Sequence, residues 1–280
     1  MNKLLKLFLV SLLLAMTNTS HAVDNAVSKL PSWQQLEFER KEFWATARSQ
    51  LKIAPVAGKP DVWMLDVLSS VVDNSEHLNI SFDSATGRVL SLTRVSKGKE
   101  QRMKTYQYEA NFIMRERRNP PADPNNVPPE QWPIRHSKPV NYPASRDSTV
   151  VTSPYLLLIL ASQLQAQGPG KSLEVIVHTD LNFYRVKLTS GNGVPVKANF
   201  QVTGKEDAVS GTFETFAVAI HASPEGKLED KDDFSLLGLQ GEIILLFDRN
   251  SGLPLQIRGE APRIGATEIN LKSATLWAAP

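Results

Sequence analysis

The segment Ser153–Gly168 reads SPYLLLILASQLQAQG, and this pattern predicts a helix. Ser153 is a typical N-cap residue, and Pro154 suits the first helical position because proline has no N–H to satisfy there. Gly168, with Pro169 behind it, is a typical C-terminal stop. The first turns are apolar on every side, which indicates a helix that is buried inside the fold.

Most of the remaining chain is predicted as β-strand, because apolar residues recur at every second position. One such run predicts a single strand from Tyr106 to Met114. Ile243–Phe247 is continuously apolar, which is typical of a strand covered on both faces. The fold class is therefore mainly β (α+β), with one helix buried among β-hairpins. Further period-two runs lie at Leu78–Phe82, Val194–Val202, Phe216–Ile220 and Ile269–Leu271.

Turn residues connect these runs. The pattern F-D-x-x-[TS]-G ends one strand at Phe82–Gly87 and another at Phe247–Gly252. In both, the aspartate can bond nearby backbone N–H groups and the glycine can adopt a positive φ. A third hairpin is predicted to turn at Ser190–Gly193.

A proline-rich segment, Asn119–Pro143, contains eight prolines. Proline cannot donate a hydrogen bond to a strand ladder, so this segment is predicted to be an extended crossing loop. It divides the chain into an N-terminal and a C-terminal block of strands. The blocks could be two domains, but we expect one β-rich domain over residues 23–280, because the N-terminal block has no obvious helix to cover it.

The N-terminus has the organisation of a secretory signal. Lys3 and Lys6 precede a short apolar stretch, Leu7–Met16, and the triplet Ser20–Ala22 offers small residues for cleavage after Ala22. We therefore expect residues 1–22 to be removed and the protein to be periplasmic, an uncleaved membrane anchor being the alternative. No later segment has 18 consecutive apolar residues, so the mature chain is not expected to span a membrane.

Composition excludes several classes of protein. The chain has no cysteine, which rules out disulfides, a Cys-ligated zinc site, an iron–sulfur cluster and a cysteine nucleophile. Basic and acidic residues number 31 and 29, and the signal itself carries two of the lysines. The mature chain is therefore neutral overall, and a nucleic-acid partner is not expected.

No catalytic constellation is recognisable, and no metal or cofactor is expected. His178 and Asp180 are close in sequence, but we interpret this pair as structural, with side chains that point to opposite faces of a strand. The HExxH, GxSxG and P-loop motifs are absent. For a hydrolase with carboxylates on a concave sheet, the only candidates are Asp66 and Glu109.

From about Asp147 to Leu276, the chain resembles the family known as domain of unknown function 3108, found in proteobacterial envelope proteins. The resemblance is carried by the helix, by the segment GTFETFAV at Gly211–Val218, and by the late hairpin that ends in Gly252-Leu253-Pro254-Leu255. It implies a fold similar to the lipoprotein carriers, in which a strongly curved antiparallel sheet or incomplete β-barrel wraps the helix.

Three functions are open. The first is a non-catalytic periplasmic protein that binds or carries a hydrophobic, lipid-like ligand. The second is an envelope-assembly accessory protein that docks a partner through the proline-rich loop, where Trp132 and Tyr142 lie; the third is the lipid or polysaccharide hydrolase. Aromatic and apolar residues expected to line a ligand cavity are Tyr106, Tyr108, Phe112, Tyr155, Leu158, Phe200 and Phe216.

Overall fold

The computed structural model describes residues 30–41, 45–122, 127–229, 231 and 233–278. The predicted signal peptide, residues 1–22, lies outside the described residues. Seventeen strands are described: β1 Trp33–Lys41, β2 Thr46–Val56, β3 Lys59–Val71, β4 Asn74–Asp83, β5 Val89–Lys97, β6 Arg102–Tyr108, β7 Phe112–Arg118, β8 Ile134–Asn141, β9 Val151–Thr152, β10 Ser172–His178, β11 Phe183–Asn192, β12 Val196–Val202, β13 Val209–Phe213, β14 Thr215–Pro224, β15 Gln240–Asp248, β16 Pro254–Ala261 and β17 Gly265–Leu276.

The strands form one long curved sheet. β1 pairs antiparallel with β2 on one side and with β17 on the other, so the first strand joins the two blocks of the chain. From β2 the sheet continues in sequence order to β8, and from β17 it continues through β16, β15, β14 and β11 to β10. The short β9 pairs parallel with β10, and the β12–β13 hairpin joins β17 through β12. This architecture confirms the predicted mainly β fold with a curved open sheet.

The helix is built as its sequence predicts. A 3-10 turn at Pro154–Leu156 leads into α1, Leu157–Ala166, and the nine residues from Leu157 to Gln165 are buried. Gly168 follows with a φ of 92°, a conformation that favours glycine. Ser153 occupies the N-cap position, but its side chain makes no capping bond. Within the described residues, no helix is long and apolar enough to cross a membrane.

Both predicted F-D-x-x-[TS]-G turns are confirmed. The Asp83 carboxylate accepts bonds from the N–H groups of Ala85 and Thr86, at 3.1 and 2.9 Å, and Gly87 has a φ of 73°. In the second turn, the N–H of Ser251 donates to Asp248 at 2.9 Å. The aspartate thus replaces the hydrogen bonds that the strand ladder loses at the turn.

Two predicted strand arrangements are wrong. The run Tyr106–Met114 is not one strand, because the Glu109 N–H bonds the Phe112 carbonyl at 2.9 Å and closes a tight turn between β6 and β7. No hairpin turns at Ser190–Gly193 either. β11 runs on to Asn192 and pairs with β14, so tertiary pairing overrides the local glycine signal.

The proline-rich segment is not a loop throughout. Its last part forms β8, which pairs with β7 and contains Pro139. No described strand pairs with the other side of β8, and such an edge strand tolerates a proline because one row of its N–H groups has no ladder partner. Whether the sheet folds as a single domain stays a prediction.

Candidate functional site

The two ends of the sheet meet around one carboxylate. Asp180, two residues beyond β10, accepts bonds from Lys104 and Tyr106 of β6 and from Arg115 of β7. The Tyr106 hydroxyl lies 2.6 Å from Oδ1, and Arg115 Nε lies 2.7 Å from the same oxygen. These contacts hold the segment just after β10 against the inner face of the opposite end of the sheet.

Burial and charge act in opposition in this cluster. Burial alone would raise the pKa of Asp180, but the bonds from Arg115, Lys104 and Tyr106 outweigh it and hold that pKa well below its usual range. Burial lowers the pKa of Lys104, although its bond to Asp180 favours the charged form. Asp180 is therefore ionised at neutral pH, with two cations for its one charge.

A cavity of about 510 Å³ lies beside this cluster. Its walls come from the inner faces of β4, β5 and β6, from the segment after β10, from the turn that leads into the helix, and from Lys231, Asp233 and Ser235. In each strand, the residues that face it alternate with residues that face outward. The cavity thus occupies the concave side of the sheet at the N-terminal end of the helix.

His178 lines this cavity and is only 1% exposed. Its Nδ1 lies 3.0 Å from the Tyr108 hydroxyl, and its ring packs against Tyr106 and Phe183 at centroid distances of 5.4 and 5.0 Å. Burial lowers the pKa of His178 to about 4, so the imidazole is neutral at neutral pH. Nε2 has no hydrogen-bond partner among the described residues.

Ser153 is the second buried polar group in the cavity wall. It is fully buried, and its Oγ has no hydrogen-bond partner among the described residues. Buried polar atoms are nearly always bonded, and an exception calls for an explanation. Since Ser153 and His178 line the same cavity, a ligand that bonds both would satisfy both atoms.

A second cavity of about 580 Å³ adjoins the first and leads outward from it. Tyr155 lines both cavities, and its hydroxyl donates to Glu76 at 3.2 Å. Burial raises the pKa of Tyr155 to about 12, so this hydroxyl keeps its proton. Arg94 pairs with Glu76 at 2.9 Å, and the coulombic effects of Tyr155 and Glu76 raise the pKa of Arg94 although burial opposes them.

The outer cavity is strongly cationic. Among the described residues that line it, six are basic and two are acidic. Within the wall, Glu76 pairs with Arg94 and Glu100 pairs with Arg102, and Arg48 pairs with Glu39 outside it. The basic residues are Arg40, Arg48, Arg94, Lys97, Lys99 and Arg102, and the acidic ones are Glu76 and Glu100.

Cations also stand side by side on the inner face of the sheet. Arg94 of β5 lies directly opposite Lys104 of β6, and Lys104 lies opposite Arg117 of β7. Like charges in directly opposed positions destabilise a sheet. Glu76 and Asp180 offset part of this repulsion, because they pair with Arg94 and Lys104.

The structure brings two of the predicted cavity residues into this site. Tyr106 and Tyr155 line the inner cavity. Tyr108 contacts His178 through its hydroxyl. Leu158, in contrast, is fully buried in the apolar core around the helix.

The other three predicted cavity residues lie elsewhere. Phe112 points to the opposite face from Ile113, which is fully buried, because the turn after Tyr108 changes the alternation. Phe200 is 4% exposed and packs against Phe213 at a centroid distance of 5.9 Å. Phe216 lines a different cavity, at the far end of the helix.

The two carboxylates considered for a hydrolase do not meet on the concave face. Asp66 alternates with the fully buried Leu65 and Val67, so it faces outward, and it bonds His77 at 2.7 Å. Glu109 lies in the turn between β6 and β7. The expectation that they share a concave face is wrong.

The interpretation of His178 and Asp180 also needs correction. The two residues are two positions apart, so their side chains fall on the same side of the chain, and both line the inner cavity. They were predicted to point to opposite faces.

The aromatic residues of the proline-rich segment make internal contacts. Trp132 is 3% exposed, and its Nε1 donates to the Val127 carbonyl at 2.9 Å. Tyr142 donates to the Glu109 carbonyl at 3.0 Å, and the Arg146 guanidinium lies 4.0 Å from its ring. Docking of an envelope partner through this segment stays a prediction.

Sequence reasoning missed the charged residues of the site. The signal was present in the strand pattern, because Arg94 follows Leu92 and Arg115 follows Ile113 at the period of two. A cation in register with buried apolar residues faces the interior. Lys104, which shares a face with Tyr106, carried the same signal.

Comparisons with known proteins assign neither a family nor a function to the chain. No protein-family model matches the chain, and no curated protein matches it. Among solved structures, the chain is similar to a β-barrel-like protein of domain of unknown function 1849 from Brucella abortus, at 9% identity and a TM-score of 0.47. The similarity covers 88% of this chain and 98% of that chain. That family differs from domain of unknown function 3108, and the resemblance to the latter stays a prediction.

Proposed function

We propose that this is a non-catalytic binding protein that holds an anionic ligand in the two joined cavities at the N-terminal end of the helix. The observation that carries the proposal is the convergence of Arg94, Arg102 and Lys104, from neighbouring strands, on one cavity. Ser153 and His178 also line it, and their buried Oγ and Nε2 atoms have no hydrogen-bond partner among the described residues. Arginine presents a planar set of donors that matches a phosphate or carboxylate group.

The helix supports an anion at the same place. The 3-10 turn Pro154–Leu156, which leads into α1, lines the inner cavity through Pro154 and Tyr155. The N-terminus of a helix carries a partial positive charge and N–H groups without intrahelical partners. This contribution adds to the charge of the side chains and comes from a different element.

The chemistry of the cavity favours a charged ligand over a purely apolar one. The apolar interior beneath the cavity is filled by the helix, where Leu157, Leu158 and Leu160 are at most 1% exposed. The lipid-like ligand expected from the sequence therefore fits best if it carries an anionic head group, with that head group in the cationic cavity. Export to the periplasm, with cleavage after Ala22, is part of this proposal and rests on the N-terminal sequence.

The test compares three probes by isothermal titration calorimetry: phenyl phosphate, octyl phosphate, and an octyl ether with a neutral ethylene glycol head group, each below its micelle concentration. We expect both phosphates to bind one-to-one, with affinity that falls as salt is added. Binding of the neutral ether alone would contradict the anionic site and support a purely apolar ligand. If none of the three probes binds, both the anionic site and a purely apolar site are contradicted.

A variant locates the binding. Arg102 lines both cavities and pairs with the exposed Glu100, so Arg102→Gln should fold normally. The loss of a charged hydrogen bond should weaken phosphate binding by about 10- to 100-fold. Lys187→Gln, which removes the same charge from an exposed position on β11, is the matched control and should leave binding unchanged.

A further inference from the structure

A separate cavity of about 780 Å³ lies at the other end of the helix. Its walls come from the end of α1 and the residues up to Gly168, from the turn Asn250–Gly252, from Phe216 of β14 and from Leu30–Ser32. Its volume falls within the range of about 300–1,000 Å³ that is usual for small-molecule sites. The anionic site proposed above lies at the opposite end of the helix and shares none of these residues.

This cavity differs from the cationic one in its chemistry. Among the described residues that line it, Arg249 is the only charged one. The other polar side chains are amides and hydroxyls, which can each bond a hydroxyl group. They include Gln163, Gln165, Gln167, Asn250, Ser32 and Ser251.

Within the described part of the chain, the side chain of Gln163 has an unpaired acceptor, which is a second observation in favour of a ligand in this cavity. The residue is 8% exposed, and its Oε1 has no hydrogen-bond partner among the described residues. A buried amide oxygen without a donor is costly, so a ligand hydroxyl that donates to it would be favoured. The same residue lines the cavity.

Arg249 and Phe216 complete the wall. The guanidinium carbon of Arg249 lies 4.4 Å from the centre of the Phe216 ring. Arg249 Nε donates to the Thr215 carbonyl at 3.1 Å and Nη2 to Asn192 at 2.8 Å, and these two bonds fix the orientation of the group. A fixed planar donor stacked over an aromatic ring suits a ligand ring that carries both hydroxyl and C–H groups.

We propose that this cavity binds a neutral oligosaccharide. A sugar presents alternating hydroxyl donors and acceptors, which the amide and hydroxyl side chains can pair, and an apolar C–H face, which can lie against Phe216. A lipid tail would leave the amides unbonded, and an anionic ligand would find one cation only.

The test uses the mature chain and a panel of soluble neutral trisaccharides: maltotriose, cellotriose, mannotriose and triacetylchitotriose. Saturation-transfer NMR detects binding, and titration gives the affinity. We expect at least one trisaccharide to bind, and a twofold excess of phenyl phosphate, the probe of the cationic cavity, not to displace it. Absence of binding by all four sugars, or displacement by phenyl phosphate, would overturn the proposal.

Two glutamine variants separate a ligand contact from a structural role. Gln163→Met keeps the size of the side chain and removes the unbonded oxygen, so the melting temperature should stay equal or rise. Sugar binding should weaken by about tenfold, the effect of one lost hydrogen bond. Unchanged sugar binding in Gln163→Met would place the ligand elsewhere and contradict the assignment.

The matched control is Gln256→Met. Gln256 is also buried, at 4% exposure, but its amide bonds Asn270 at 2.9 Å and Arg258 at 2.6 Å. This variant should lower the melting temperature and leave the affinity for the sugar unchanged. A loss of sugar affinity in Gln256→Met as large as in Gln163→Met would show that any buried glutamine gives the effect.

Discussion

Asp180 links the two ends of the sheet through groups that cannot be left unpaired. It bonds Tyr106, Lys104 and Arg115, and the last two side chains are 8% and 10% exposed. Removal of one member of such a buried network strongly lowers the free energy of unfolding, because it leaves the other charges buried without a partner.

Asp180→Asn tests this penalty. The variant leaves Lys104 and Arg115 buried without their counter-charge, and we expect the free energy of unfolding to fall by about 3 kcal/mol. Urea denaturation at pH 7 measures the change. Glu174→Gln removes one partner of the exposed pair with Arg185 and should cost less than about 1 kcal/mol. Equal losses in the two variants would contradict the special position of Asp180.

His178 should make stability depend on pH. Its pKa is about 4 in the folded protein, where burial lowers it, against an ordinary value of 6.5. Between these two values the unfolded chain binds more protons than the folded protein, so stability falls as the pH is lowered from 6.5 to 4. The full shift corresponds to about 3 kcal/mol.

Urea denaturation of the wild type and of His178→Phe between pH 4 and 7 checks this dependence. Phenylalanine suits the ring contacts with Tyr106 and Phe183 and has no proton to bind. Between pH 7 and pH 4, the free energy of unfolding of the variant should fall much less than that of the wild type. The same slope in both proteins would show that His178 titrates normally.

At the scale of the elements, the β4–β5 turn fixes how closely the sheet approaches the helix. Gly87 has a φ of 73°, and a Cβ at that position would lie 2.9 Å from Leu160 Cδ2. Thr152 also donates to the Gly87 carbonyl at 2.9 Å, so the turn cannot easily move away.

Gly87→Ala and Gly58→Ala separate backbone strain from contact with the helix. Gly58 has a φ of 75°, but a Cβ there would meet nothing within 4 Å. We expect Gly58→Ala to cost about 1 kcal/mol from backbone strain, and Gly87→Ala to cost about 1–3 kcal/mol more from overpacking. Thermal unfolding of the two variants measures the difference. Equal shifts would mean that the helix adjusts without cost.

Elements with strong local signals could be predicted from the sequence. The helix has a proline at its start, a glycine after its end and first turns that are apolar on every side. In both aspartate turns, the side chain accepts bonds from backbone N–H groups of the same turn. The tight turn after Tyr108 could not be predicted in this way. Ala110 and Asn111 continue the alternation of the strand, and only the pairing of β6 with β7 decides the break.

The candidate site could be predicted only in part, for a related reason. Aromatic residues on a strand suggest a cavity wall, and Tyr106 and Tyr155 do line one. The charge of the cavity depends on which strands are neighbours, because Arg94, Lys104 and Arg117 are separated in sequence and meet only through register. Strand order over such distances is not encoded in any local pattern.

At the scale of the whole molecule, β1 connects the two blocks of strands. Residues near the start of the chain pair with residues near its end, as in the pair of Leu36 with Ala274. If the chain is the predicted single domain, calorimetry should show one unfolding transition whose calorimetric and van't Hoff enthalpies agree. Two separate transitions would show that the blocks unfold independently.

Export of the protein has an equally direct check. Expression of the full chain in a bacterial host and mass spectrometry of the periplasmic fraction should give a mature protein that begins at Val23, because cleavage follows Ala22. An intact N-terminus at Met1 in the cytoplasmic or membrane fraction would contradict the signal peptide. The calorimetric titrations with the phosphates and the neutral ether do not depend on this outcome.

The most direct test of the anionic site is native mass spectrometry of the protein purified from the periplasm, with the wild type and Arg102→Gln analysed side by side. The account predicts that the wild type carries one molecule per chain whose released form ionises as a phosphate or carboxylate, and that the variant has largely lost it. A bound molecule without any anionic group, or an anion retained equally by Arg102→Gln, would contradict the account.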